Sequence, residues 1–467
     1  MTAKLQAHAA RCPSKTPFVL HIESEHEQIQ VLCRQVLRYL PGKRLVCDGE
    51  WAGKRVIVKL FLSARKGNRH CAREEQGLSA LQRAGLDSPR LLFKGAAGSQ
   101  KQPAMILSYI QEGVDCKHLW DKAEDEKERE DILLQLGRAI SDLHEAGLYH
   151  QDMHLGNFMA AGKRVYILDG AALVSRREGS PLAQTKSIKN LAMFFAQFSL
   201  QDDHLFPQAL REYAQKRGWT VDKELSDQLA KHISRERRKR ERAYLKKIFR
   251  DSTAYACRKS LTTFWVCRRV DFSDQMTDLL KDPDRAMHSG WMLKEGNSST
   301  VALIEVDDRQ LVVKRYNMKN FVHRLKRSLR PSRAWKSWRN AHILSQIGIK
   351  TPMPVALVEK RLGPLRSTAY YITEFVPGKS VYTSVYSKDA DQALKQKIVD
   401  QLRELLDRFQ RAFIVHGDMK ATNFIVADEQ IMVTDLDAMK RYTRAGKKFT
   451  RGHRKDWERF QKNWNQV

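Results

Sequence analysis

One eight-residue arrangement occurs twice in this chain, as "HQDMHLGN" at 150–157 and "HGDMKATN" at 416–423. Sliding the C-terminal half back by about 265 residues brings other stretches into register. "VIVKLF" (56–61) meets "LVVKRY" (311–316), each a β-branched run carrying one lysine, Lys59 and Lys314. "LQRAGLDSPRLL" (81–92) meets "LSQIGIKTPMPV" (344–355), a helix end marked by Gly and stopped by Pro. "MILSYIQEG" (105–113) meets "YYITEFVPG" (370–378), and "VYILDG" (165–170) meets "IMVTDLD" (431–437). Five elements in one order in both halves mean a duplicated domain, because solenoid repeats are far shorter. Each copy reads strand-rich first and helix-rich afterwards, which predicts two unequal lobes per domain.

The spacing inside each copy carries a chemistry. Asp152 precedes Asn157 by five residues and Asp169 follows Asn157 by twelve; Asp418, Asn423 and Asp435 repeat both intervals. An Asp on a loop suits the acceptance of a proton from an incoming hydroxyl. An Asn and a later Asp are hard oxygen ligands for Mg²⁺, which neutralises nucleotide phosphates. A strand lysine adds positive charge at those phosphates, and a helix glutamate holds the lysine in place. The order Lys, Glu, His-x-Asp-x-x-x-x-Asn, Asp is that of the protein-kinase-like fold. In the first copy it assigns Lys59, Glu74, Asp152, Asn157 and Asp169, and in the second Lys314, Asp418, Asn423 and Asp435. Asp152 and Asp418 are the expected catalytic residues. Asn157, Asp169, Asn423 and Asp435 are the expected metal ligands, and His150 and His416 are expected to orient the loops.

The copies differ. Glu74 lies eleven residues before Gly85, and the same offset before Gly348 gives Ser337. The second copy offers "KEGNSSTVALIEV" (294–306), in which Gly296, Ser298 and Ser299 suit a phosphate loop, whereas "PGKRLVCDGEWAGKRV" in the first copy is a poor one. The third position of a D-F-G segment is missing twice, in Asp169-Gly170-Ala171 and Asp435-Leu436-Asp437. Two active sites, or one active and one decayed, are both open on these residues.

The fold class expected is α+β: two tandem bilobal kinase-like domains, at 18–220 and 289–467, joined by a basic helical segment at 221–288. The hydrophobic fraction of 42% suits a globular protein. The net charge of +29 calls for an anionic partner. Seven cysteines at irregular spacing, with no CxxC pair, fit neither a disulfide framework nor a zinc site, and suit a reducing compartment. "MTAKLQAHAARCPSK" lacks the apolar core of a signal peptide, and "LAMFFAQFSL" (191–200) is half the length of a membrane span. A cytoplasmic, membrane-peripheral protein is expected. Basic runs occupy 235–250, 319–339 and 440–462, with Trp335, Trp338, Trp457 and Trp464 among or beside them. Those tryptophans are core residues or headgroup-level anchors.

On these residues the chain resembles the lipopolysaccharide-kinase branch of the kinase-like fold. The resemblance is carried by "RPSRAWKSWRNAHILSQIGIKTPMPVALVEKR" and "YYITEFVPGKSVY" in the second copy, and by "YHQDMHLGNF" and "YILDGAAL" in the first. It implies ATP as donor and Mg²⁺ as cofactor. The acceptor it implies is a heptose or related sugar of the lipopolysaccharide core or a lipid A-linked oligosaccharide, at the cytoplasmic face of the inner membrane. An anionic membrane surface and other core-assembly enzymes are the partners expected, and nucleic acid is not. The rival readings are a tandem pseudokinase scaffold and a kinase acting on protein.

Overall fold

The computed structural model describes residues 16–464 apart from 64, 176–178, 318–327 and 387–391. Residues 319–327 of the 319–339 basic run, and the side chain of Trp464, lie outside the described residues. The chain divides into two compact units, Met1–Arg237 and Arg238–Val467.

The first unit opens with six antiparallel strands closed into a barrel. Its neighbours run Phe18–Glu23, Gln28–Leu40, Arg44–Trp51, Lys54–Phe61, Gln102–Ser108 and Leu91–Ala97, and the last returns to the first where Ala97 meets Ile22. The strands alternate apolar and polar positions, so one face of each fills the interior. Ile22, Val31, Cys33, Cys47, Val56, Val58 and Ile106 form that core. Helix Gly67–Arg83 buries Cys71, Glu74, Leu78 and Leu81, one stripe at helical spacing that includes a carboxylate. It ends at Gly85, whose φ of +69° closes the last turn, as the Gly-then-Pro signal predicts. Behind the barrel, helices Glu126–Glu145, Gln184–Phe195 and Phe206–Lys216 share a core containing Leu136, Ile140, Leu191, Phe194 and Tyr213. The apolar run at 191–200 is therefore core packing. No described helix is long and apolar enough to cross a membrane.

The second unit contains a seven-stranded open sheet. Its order is Tyr255–Lys259, Thr263–Arg268, Pro354–Leu362, Leu365–Glu374, Arg309–Tyr316, Ser299–Val306 and Trp291–Lys294. The first two strands correct the expectation of a helical segment over 221–288. A helix does span Lys223–Lys247, and the boundary between the units falls inside it. Residues 255–268 are instead a hairpin whose Phe264, Val266 and Cys267 are buried. The basic residues around it disguise a period-two apolar pattern. Trp338 is fully buried with its indole N–H on the Ile248 carbonyl, and Trp335 stacks on Phe249 at 4.6 Å. These two are packing residues.

One close approach sets the geometry of the first unit. A Cβ on Gly77 would lie 1.9 Å from the Gly170 carbonyl oxygen, and one on Gly170 would lie 2.5 Å from that of Glu74. The helix carrying Glu74 thus touches the segment after Asp169 backbone to backbone, where a D-F-G phenylalanine would stand. In the second unit Leu436 fills that place, and Asn340, the counterpart of Gly77 in the register that pairs Glu74 with Ser337, donates to the carbonyls of Leu436 at 2.8 Å and Met439 at 3.0 Å. Gly77→Ala must push the helix away from Gly170, so we expect a stability loss of about 1–3 kcal/mol in denaturant unfolding. A G77A protein as stable as the parent would show that the contact is not made.

Candidate active sites

In the first unit, Lys59 stands on strand Lys54–Phe61 between Val46 and Met105 of the flanking strands. Its ammonium donates to Glu74 Oε1, whose side chain has no exposed surface, and approaches the Leu168 carbonyl at 3.4 Å. Glu74 Oε2 accepts from the Ala171 N–H at 3.3 Å. The pair therefore spans barrel, helix and the segment around Asp169. Burial pushes the Asp169 carboxyl up, but the positive charges of Lys59 and Arg44 prevail and hold it below the usual carboxylate range.

The loop is held from behind. His150 Nδ1 accepts from the Asp152 N–H at 3.2 Å, so its Nε2 carries the proton and donates to the Asp169 carbonyl at 3.1 Å. Both ring nitrogens are spent on backbone. Asn157 donates to the Asp152 carbonyl at 2.8 Å, and the Leu168 N–H returns to the Asn157 carbonyl at 2.9 Å. Asn190 brackets the His150 backbone, donating to its carbonyl at 2.8 Å and accepting its N–H at 3.3 Å. Its remaining acceptor capacity takes the His144 Nε2 proton at 3.0 Å, which leaves His144 Nδ1 to accept from the Tyr213 hydroxyl at 2.7 Å. The side chain of Asp152 is 74% exposed.

The second unit repeats the loop but not the charge pairing. His416 Nδ1 accepts from the Asp418 N–H at 3.3 Å and Nε2 donates to the Thr434 carbonyl at 3.1 Å. Asn423 donates to the Asp418 carbonyl at 2.9 Å and to its Oδ2 at 3.1 Å. Ser337 occupies the glutamate's position and meets the Tyr316 hydroxyl at 2.8 Å. Lys314 then turns to Asp435 Oδ1 at 2.7 Å. Burial would raise the Asp435 carboxyl, but Lys314 holds it low. Asp437, raised by burial and by the charge of Asp435, takes Arg333 Nε at 2.5 Å. Asp418 is met by Arg459 at 2.7 Å and Lys420 at 3.2 Å.

Gly296 and Ser298 lie in the turn between strands Trp291–Lys294 and Ser299–Val306, tied by Asn317 to the Gly296 carbonyl and by Arg333 to the Ser298 carbonyl. Ser299 is buried at the start of its strand. A cavity of about 340 Å³ is lined by Lys294 and Val301 from the strands on either side of that turn, with Val312, Lys314, Ile425 and Asp435. Its lining does not include Gly296, Ser298 or Ser299.

The residues fit a divalent cation best in the first unit. Asp169 Oδ1 is buried with no hydrogen-bond partner, and Asn157, with its side-chain nitrogen committed to the Asp152 carbonyl, offers its side-chain Oδ1 as a candidate metal ligand. Among the described residues no cluster of three or more His, Cys, Asp or Glu forms a metal cage. One carboxylate and one amide oxygen suit Mg²⁺, which takes its other ligands from phosphates and water. In the second unit Lys314 already occupies Asp435.

A family model, Lipopolysaccharide kinase (Kdo/WaaP) family, matches residues 50–173 and 284–466, well over half of the chain. The chain belongs to that family. Membership makes the chain a phosphotransferase of lipopolysaccharide core biosynthesis with a kinase-like α+β fold. Among solved structures it is similar to a rhoptry kinase from Toxoplasma gondii, at 14% identity over 48% of this chain and 90% of that one, with a TM-score of 0.34. So slight a likeness bears on nothing in the sites. No curated protein matches the chain in sequence.

Several working residues carry no spacing signal. Arg44, Asn190, Arg333, Asp456 and Arg459 reach their sites through tertiary contact. Asp456 accepts from the backbone N–H groups of His416 at 2.6 Å and Gly417 at 3.0 Å, supporting the second loop much as Asn190 supports the first. Lys420 was readable, two residues after Asp418 within the repeated stretch.

His144 supplies a pH test. Complete burial, with Arg217 adding repulsion, pushes it from 6.5 down to about 4 against the opposing bond to Asn190. The unfolded chain therefore binds this proton more tightly, and stability falls as pH drops from about 6.5 to about 4, by up to roughly 3 kcal/mol. His144→Gln, which has no proton to gain, should lose less stability over that acid limb. Equal losses in both proteins would remove His144 from the account.

Proposed function

We propose that this chain transfers the γ-phosphoryl group of Mg-ATP to a hydroxyl of a heptose or related sugar in the lipopolysaccharide inner core, and that the first unit performs the transfer. The observation that carries this reading is the contrast between the two aspartates. Asp152 presents a 74% exposed carboxylate whose nearest cationic neighbour is His154 at 3.7 Å, while Asp418 is held by Arg459 at 2.7 Å and Lys420 at 3.2 Å. A carboxylate held on both sides by cations is not free to turn toward an incoming hydroxyl. In the first unit Lys59 is held by Glu74, and Asp169 keeps a free buried oxygen.

In this reading Asp152 orients the sugar hydroxyl and takes its proton as the oxygen forms its bond to the γ-phosphorus. The bond to the ADP oxygen breaks, and ADP leaves with the electron pair. Lys59 neutralises phosphate charge from the barrel side, and Arg44 adds to the same field. Asn157 and Asp169 would hold Mg²⁺, which supplies charge neutralisation at the bridging phosphate oxygens when bound. The second unit favours a separate role. Its cavity offers apolar walls in Val301, Val312 and Ile425 beside the chain segment Glu374–Val376, suited to a nucleotide base. With Ser337 in place of a glutamate and Asp418 paired, we assign it nucleotide binding in support of the first unit, the part of the pseudokinase-scaffold reading that a specific contact favours. The acceptor's lipid anchor sets the workplace at the cytoplasmic face of the inner membrane.

Phosphate incorporation from Mg-ATP into core lipopolysaccharide, prepared from a strain lacking this protein, tests the assignment. Asp152→Ala should lower transfer by roughly 10²–10⁴-fold. Asp418→Ala should leave transfer within about tenfold of the parent, the scale of a supporting contact. The reverse pattern would assign the transfer to the second unit. Glu74→Gln should weaken nucleotide-dependent transfer while the second unit still binds nucleotide, measured by fluorescence with a labelled analogue.

A further inference from the structure

The second unit carries an apolar edge that neither its core nor its cleft uses. The turn of the hairpin over 255–268 and the turn after strand Pro354–Leu362 lie side by side. The Gly363 N–H donates to the Leu261 carbonyl at 2.8 Å and the Arg361 N–H to the Thr262 carbonyl at 2.7 Å. At the two tips Leu261 is 78% and Leu362 is 74% exposed. Leu329, 67% exposed, joins them, because its carbonyl accepts from Arg366 at 3.1 Å and Arg366 pairs across the hairpin with Arg361. Single exposed leucines are ordinary, but three brought to one edge by three separate stretches of chain are not.

The charge around this edge is one-sided. "RKSLTT" (258–263) and "EKRLGPLR" (359–366) contain one acid, Glu359. That carboxylate is fully buried and is consumed by Arg361, by Arg366 at 3.4 Å and by the Ser332 hydroxyl at 2.6 Å. Arg258, Lys259 and Arg330 face solvent. Projecting apolar tips within a basic collar match an anionic bilayer, in which apolar side chains enter the interface and cations meet the headgroup phosphates. A polynucleotide would satisfy the collar but has no use for leucine tips.

We propose that this edge docks the protein on an anionic lipid bilayer, with Leu261, Leu329 and Leu362 entering the interface and Arg258, Lys259 and Arg330 at phosphate level. Attachment here is independent of which unit transfers phosphate. The surface would bring a lipid-anchored acceptor and the enzyme to one plane.

The test is co-sedimentation of the full-length protein with vesicles of phosphatidylethanolamine and phosphatidylglycerol, beside vesicles of phosphatidylcholine alone. The double variant Leu261→Glu/Leu362→Glu should lose at least about tenfold in affinity for the anionic vesicles. A control, Val270→Glu/Trp291→Glu, makes the same change of charge within the second unit at residues that are 79% and 74% exposed, the first past the end of the hairpin away from its turn and the second on the opposite edge strand of the sheet. It should stay within about twofold of the parent, since a remote exposed charge is screened. Equal losses in the two pairs would mean that net charge alone attracts the protein, and would overturn the proposal. Leu261→Cys carrying an environment-sensitive fluorophore should shift to the blue on adding anionic vesicles. An unshifted spectrum with bound protein would also overturn it. Thermal melts of each variant confirm folding, and phosphate transfer to a deacylated core oligosaccharide should be unchanged by the tip variants.

Discussion

Glu74 is a carboxylate with no exposed surface, and the first unit is organised around satisfying it. A buried charge is costly unless it is paired and fully hydrogen-bonded. Here its two oxygens take Lys59 from the barrel and the Ala171 N–H from the segment after Asp169. Three parts of the fold that are distant in sequence must therefore meet at one side chain. Removing either partner would leave the other charge stranded, a loss on the order of 3–5 kcal/mol. The glycine pair at 77 and 170 makes the meeting possible, since any side chain there would hold the helix off. Strict placement of Lys59 is thus inseparable from the stability of the unit.

The second unit solves the same problem with other charges. With serine at the glutamate's position, Lys314 takes Asp435 directly, and the partly buried Asp437 recruits Arg333. Asp435 sits at a φ of +53°, an uncommon conformation for a side-chain-bearing residue, held by the surrounding contacts. The loop itself is nearly identical in the two units. In both, histidine ring nitrogens staple the aspartate's backbone to the strand behind, and the asparagine amide closes the turn. A duplicated scaffold has kept its loop while the charges aimed at the phosphates have changed.

Docking and chemistry draw on different parts of the molecule. Leu261 and Leu362 stand at hairpin turns and Leu329 in the turn before helix Arg333–Gln346, where substitutions leave the sheet core untouched, while the cleft residues sit on strands and helices that pack from both sides. That separation lets the surface answer to lipid while the site answers to nucleotide.

Much of the design was legible in the residues. The duplication, the order of lysine, loop and aspartate, and the helix ends at Gly85 and Gly348 follow from local spacing, because turn chemistry and periodicity act over a few residues. The helical segment expected over 221–288 failed only at 255–268, since helices return at Asp274–Lys281 and Pro283–Ser289. There the basic residues at 258, 259, 268 and 269 masked the period-two burial of Phe264 and Val266, which shows only once a neighbouring strand is present. No spacing could reveal Arg459 on Asp418, Arg44 beside Asp169 or Asn190 behind His150, since each pairing closes a loop of tens to more than a hundred residues. The sequence by itself determined the repeated scaffold and singled out the residues proposed to react, through short-range patterns of size, charge and glycine. The tertiary structure alone decided which carboxylates are paired, buried or left open, because electrostatics act through space and not along the chain.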